Sequence, residues 1–95
     1  MCIVVGVLQF VLRLPEVLSL KEKRSVIKSV NTRIRNRFNV SVSEVDEQDK
    51  WQLATIAVAH IGADRKYANQ ILDQVLNLVR DVRSIEVVDS KLEFY

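Results

Sequence analysis

Lys21, Lys23, Arg24, Lys28, Arg33, Arg35 and Arg37 lie in one stretch, SLKEKRSVIKSVNTRIRNRF (19–38), against a single acid, Glu22. The chemistry open to such a set is the holding of a polyanion. Ammonium and guanidinium groups set against phosphates release condensed counterions, and the planar guanidinium also stacks on bases. The remaining residues carry seven basic and eleven acidic groups, so a net charge of only +2 conceals about +6 on this stretch against −4 elsewhere. The competing reading is a solvated helix face, because Lys and Arg are good helix formers. The helix dipole separates the two ends. Arg33, Arg35 and Arg37 fall in the last turns, where cations are stabilising, whereas Lys21, Lys23 and Arg24 fall in the first turns, where they are not. The N-terminal cations are therefore the stronger candidates for a role beyond stability.

Other residues with chemical potential are sparse. His60 is the one histidine, on an apolar run with no Ser or Cys beside it, and reads as structural. Cys2 is the one cysteine, which excludes an intramolecular disulfide and any Cys/His zinc cluster; nothing marks it as activated. No phosphate-binding glycine loop, zinc-protease pair or nucleophile elbow is present, so no catalytic residue, cofactor site or metal site is expected, and the chain does not read as an enzyme. Glu44, Asp46, Glu47 and Asp49 could gather a hard cation, but the spacing of a calcium loop is missing and a solvated turn is the favoured reading. Trp51 stands at a strand end and reads as a core or interface anchor in preference to a base-stacking platform.

The elements that must position these groups follow from hydrophobic period. IVVGVLQFVLRL (3–14) is β-branched and apolar on both faces, as a central strand is, with Gly6 marking a close approach or a bulge. Pro15 stops it. Ser19 and Glu22 form a capping box, and a helix runs from there to about Arg37. Leu20, Ile27, Val30, Ile34 and Phe38 share a sector of about 80° that must be buried. Lys21, Arg24, Lys28 and Arg35 fall within about 60° on an adjacent exposed face, Arg33 and Arg37 flank the stripe on its other side, and Lys23 points near it and should snorkel.

NVSVSEV alternates with Val40 and Val42 inward, then breaks at Glu44–Val45, the mark of a bulge or a strand end. WQLATIAVAHI (51–61) is again apolar on both faces and completes a hairpin. Asp64 caps a second helix whose apolar residues, Ala68, Ile71, Leu72, Val75, Leu76 and Val79, give the strongest helical period in the chain, ending near Arg80 to Val82. IEVVDSKLEFY is a charged final strand suited to an edge.

The order β-α-β-β-α-β is that of an α+β, ferredoxin-like sandwich: an antiparallel four-stranded sheet, order 4-1-3-2, with both helices on one face. The strands apolar on both faces are the two that this topology places centrally. Ninety-five residues with 48% hydrophobic content make one domain, 1–95, and exclude disorder. The N-terminal apolar run has no basic flank or cleavage site and is too short to span a bilayer, so a cytoplasmic location is expected. No element remains to cover the second face of the sheet, which predicts a partner there, most simply a second copy in a homodimer.

SLKEKRSVIKSVNTRIRNRFNVSVSEVDEQDKWQLATIAVA closely resembles the YlxP-like family of small bacterial proteins of uncharacterised function. The likeness extends to VVGVLQFVLRLP and IEVVD and so spans essentially the whole chain; SLKEKR, RNRFNVSV and WQ are its most specific pieces. Ser43 stands where Ala is usual in the family. The resemblance implies a ferredoxin-like fold. It also implies a gene frequently found beside those for translation initiation factor two and ribosome-binding factor A, and hence a role near the ribosome or its RNA. No family activity exists to carry over.

Three functions follow as expectations. The first is an RNA- or ribosome-associated module that contacts phosphates through the seven cations of the first helix. The second is a protein-interaction module using the open sheet face or an edge strand. The third, a small-molecule sensor, would need a pocket lined by convergent polar groups at a dimer interface. Base reading on the sheet face, as in RNA-recognition motifs, is disfavoured: WQLATIAVAHI lacks the aromatic signature, and the first strand offers only Phe10.

Overall fold

The computed structural model describes residues 2–47 and 50–95. The elements are β1 (Val4–Arg13), α1 (Leu20–Arg37), β2 (Ser41–Asp46), β3 (Leu53–Gly62), α2 (Arg65–Arg80) and β4 (Glu86–Phe94). They form one antiparallel sheet of order β2-β3-β1-β4. This is the expected ferredoxin-like arrangement, with β1 and β3 central.

Alternation along β1 sorts its side chains. Leu8, Phe10 and Leu12 point to the helices and are at most 3% exposed. Across the ladder they meet Val58, Ile56 and Ala54 of β3. Val30 and Ile34 of α1 and Leu72, Val75 and Val79 of α2 close the core above them. Burying each of these larger side chains stabilises the fold by roughly 1.5–3 kcal/mol before ordering entropy is counted. Gly6 lies where α2 comes down onto β1: a Cβ there would stand 2.7 Å from Leu72 Cδ1. The close approach expected of this glycine is real, and β1 has no bulge at that point.

Both helices begin as the sequence implies. Ser19 Oγ accepts from the Glu22 amide at 3.1 Å. The reciprocal half of the box differs, because Glu22 Oε2 accepts from the amide of Leu18, one residue before the cap, at 3.0 Å. Asp64 caps α2 by accepting from the Lys66 amide at 3.0 Å. Arg35 and Arg37 occupy the last turn of α1, where they complement the carbonyl end of its dipole.

Each outer strand carries an irregularity. In β2 the register shifts between Glu44 and Asp46, leaving Val45 without a partner, at the place where the alternation fails. In β4, Val11 pairs with Asp89 but Leu12 with Val87, so Val88 is the extra residue. Among the described residues, no element covers the face away from the helices, which carries apolar side chains of the central strands. Val5, Val7, Val11, Ala57 and Ala59 are half-buried by their cross-strand neighbours, Ile61 is 67% exposed, and Gln9, Lys91 and Glu93 interrupt the apolar area. No helix is long and apolar enough to cross a membrane, among the described residues.

Candidate nucleic-acid interface

The cations of α1 divide into two kinds. Lys21, Arg24 and Lys28 are exposed and follow one another at intervals of three and four, so the three form one row along the helix. Arg33, Arg35 and Arg37 are also exposed. Arg35 Nη2 donates to the carbonyl of Val42 at 2.7 Å, tying the end of α1 to β2, and Arg37 lies over the Phe38 ring at 5.9 Å. Among the described residues, none of these six cations forms an ion pair with an acid.

Lys23 is the exception. Its side chain is 1% exposed, and its ammonium pairs with the Glu44 carboxylate at 2.9 Å. It also donates to the backbone carbonyls of Glu47 and Lys50. Snorkelling was expected to bring this group to water; instead it is capped by the β2–β3 connection, and it cannot reach a phosphate. The set available for an anion is therefore Lys21, Arg24, Lys28, Arg33, Arg35 and Arg37. Charge counting could not separate Lys23 from these, because its partners are mostly backbone carbonyls from residues 24 and 27 positions away.

Among the described residues, the acids of this stretch do not converge. Glu44 is held by Lys23, Glu47 pairs with Lys50 at 3.0 Å, and Asp46 Oδ1 accepts from the Glu47 amide at 2.8 Å. Asp49 lies outside the described residues. No group of three potential metal ligands occurs among the described residues. His60 is 7% exposed, with Nδ1 3.4 Å from the Asn39 carbonyl oxygen and its ring edge-on to Tyr67 at 5.8 Å. Cys2 is exposed and free.

Trp51 is not the core anchor that was one of its two expected roles; the other, an interface anchor, needs an exposed ring. It precedes β3, is 50% exposed and takes no part in the core. With Arg13, Leu20, Lys50, Gln52 and Leu53 it lines an open cleft of about 650 Å³. Leu20, expected in the buried stripe, is only partly buried because it forms a wall of this cleft. Arg13, also lining the cleft, donates through both Nε, at 3.1 Å, and Nη2, at 2.6 Å, to the one oxygen Glu86 Oε2.

The family described as "Protein of unknown function (DUF503)" matches residues 5–92. An uncharacterized protein, YlxP of Bacillus subtilis (strain 168), is 38% identical over 77 residues, covering 81% of this chain and 84% of that relative. Among solved structures, the de novo designed protein Foldit4 superposes with a TM-score of 0.51 at 15% identity, covering 97% of this chain and 93% of that one. SnoaB, a cofactor-independent oxygenase from Streptomyces nogalater (mutant N63A), gives 0.49 at 14% identity, covering 100% and 92%. The Foldit4 likeness is one of fold alone, and the SnoaB likeness carries no argument about activity.

Proposed function

The chain belongs to the DUF503 family of proteins of unknown function, and from the surface of α1 we propose that it is a non-enzymatic RNA- or ribosome-associated module. One observation carries this reading. Six cations stand in water along one helix without an ion-pair partner among the described residues, while the rest of the chain has an acidic surplus. A cation row unopposed by local acids keeps its field for an outside anion, and each phosphate it neutralises adds to the salt dependence of binding. The gene setting implied by the family resemblance supports the same reading.

Binding to ribosomal subunits and to structured RNA, at two salt concentrations, tests it. The wild type is expected to lose affinity steeply between about 50 and 200 mM salt. A Lys21/Arg24/Lys28→Ala variant is expected to bind more weakly and with a shallower slope. No binding, salt-insensitive binding, or equal binding by both proteins would overturn the proposal.

The open sheet face favours a second reading, a homo-oligomeric interaction module in which one copy covers the Val5, Val7, Ala59 and Ile61 area of another. Partners retained after nuclease treatment, with a dimer in sedimentation that Ile61→Lys dissociates, would support it over the first.

A further inference from the structure

Trp51 is exposed, yet the backbone on both of its sides is fixed. The carbonyl of Lys50 is held by the buried Lys23 ammonium. The backbone oxygen of Gln52 accepts from the Leu14 amide at 2.9 Å, and its side-chain amide donates to the carbonyl of Val17 at 3.1 Å. These contacts satisfy the buried Lys23 and extend the strand pairing, and they also anchor the backbone on either side of a ring that itself stays half in water. Trp51 thus projects from an anchored backbone and lines the cleft together with Leu20 and Leu53. At about 650 Å³ the cleft lies within the roughly 300–1,000 Å³ range of small-molecule sites.

The surroundings specify the occupant. An indole face between aliphatic walls suits a flat aromatic group. Arg13 and Lys50 stand at the sides, and Arg13 uses only Nε and Nη2 on Glu86, leaving further donors. Leu20, a wall of the cleft, is followed directly by Lys21 and one helical turn later by Arg24, so the α1 cation row starts at the cleft's lip. A planar group in the cleft would thus be joined to anions running along the helix.

We infer that this cleft seats one unpaired nucleobase of a single-stranded RNA on Trp51, with the flanking phosphates on Lys21 and Arg24. The inference rests on the RNA-binding reading and adds strandedness to it: a base within a duplex cannot enter, so the cleft selects single strands, loops or ends. Helix cations without the cleft would accept any phosphate backbone.

Trp51 is the only tryptophan, so its fluorescence reports the site directly. The protein is titrated at low salt with a labelled single-stranded RNA of about ten nucleotides, a duplex of the same length and a nucleoside monophosphate. Anisotropy follows binding and Trp51 emission follows stacking. The single strand should quench Trp51 and the duplex should not. Trp51→Ala should weaken single-strand binding about tenfold to a hundredfold and leave duplex binding unchanged; Trp51→Phe should recover part of the loss. Circular dichroism of both variants confirms the fold. If the single strand binds without disturbing Trp51, or binds Trp51→Ala as tightly as wild type, the inference fails while the α1 reading stands. If no RNA binds, both fail. A monophosphate that quenches as tightly as the strand would overturn the assignment to RNA and make the cleft a nucleotide site.

Discussion

The ammonium of Lys23 sits 2.9 Å from the carboxylate of Glu44, with the lysine side chain 1% exposed and that of the glutamate 20%. This pair joins the first turn of α1 to β2, and the carbonyls of Glu47 and Lys50 complete the lysine's shell. Removing the lysine takes one charged donor away from the largely buried Glu44 carboxylate and from the carbonyls of Glu47 and Lys50. Lys23→Met should therefore destabilise the fold by about 3 kcal/mol, as buried pairs do when one partner is lost. The measurement is a urea midpoint at unchanged m-value. The folded fraction should keep the duplex-RNA affinity of wild type, because Lys23 faces no solvent.

Gly6→Ala should cost about 1–3 kcal/mol, the range for overpacking a filled core. The added methyl would lie 2.7 Å from Leu72 Cδ1. Leu72→Ala alone should be destabilising as a cavity mutant, and the double variant should be more stable than the sum of the two losses. Thermal or urea unfolding of the four proteins measures that coupling; strict additivity would mean that α2 shifts to admit the methyl.

Arg35 and Lys28 are expected to behave differently although both are exposed cations of α1. Arg35 donates to the Val42 carbonyl at 2.7 Å, so Arg35→Ala should lower stability by about 1 kcal/mol as well as weaken polyanion binding. Lys28→Ala should weaken binding with a stability change within about 0.5 kcal/mol. Paired unfolding and salt-titration experiments separate the two effects.

At the end of β4, Glu93 lies between Lys91 Nζ at 2.9 Å and the Tyr95 hydroxyl at 3.0 Å. The hydrogen bond from Lys91, then that from Tyr95, holds the Glu93 carboxyl below its ordinary value. The hydrogen bond to Glu93 raises both Lys91 and Tyr95. A lowered carboxylate contributes stability above its unfolded value, and that contribution is lost as pH falls through the folded one. The raised Lys91 and Tyr95 contribute below their unfolded values, 10.5 and 10.0, and lose that contribution as pH rises through the folded ones. In Glu93→Gln, the Tyr95 absorbance titration should move to lower pH; an unchanged titration would show that the hydroxyl does not bond Glu93 in solution.

The topology was legible because burial writes itself into period. β1 and β3, apolar on both faces, lie at the centre of the sheet with helices over one face and an outer strand beside each, and the break at Glu44–Val45 marked the β2 bulge to within a residue. The exposed positions of Lys21, Arg24 and Lys28 followed from the same geometry. Two features did not. Lys23 has the composition of a surface cation, and its burial depends on carbonyls contributed by a connection whose path no pattern encodes. Trp51 has the composition of a core residue, and its exposure follows from β3 starting at Leu53, two residues later than the apolar run suggests. Periodicity reports which face a side chain takes; it is silent about backbone groups and loops arriving from elsewhere.

The unmatched valines, Val45 on one border strand and Val88 on the other, are each about half exposed, at 49% and 50%. An extra residue bends its strand and throws the outward amides and carbonyls out of step. An incoming extended chain would need a compensating kink at the same place to zip along either border. Together with Glu86, Asp89, Lys91 and Glu93 on the β4 side, this makes both borders poor templates for a further strand, as bulges and edge charges do in other sheets.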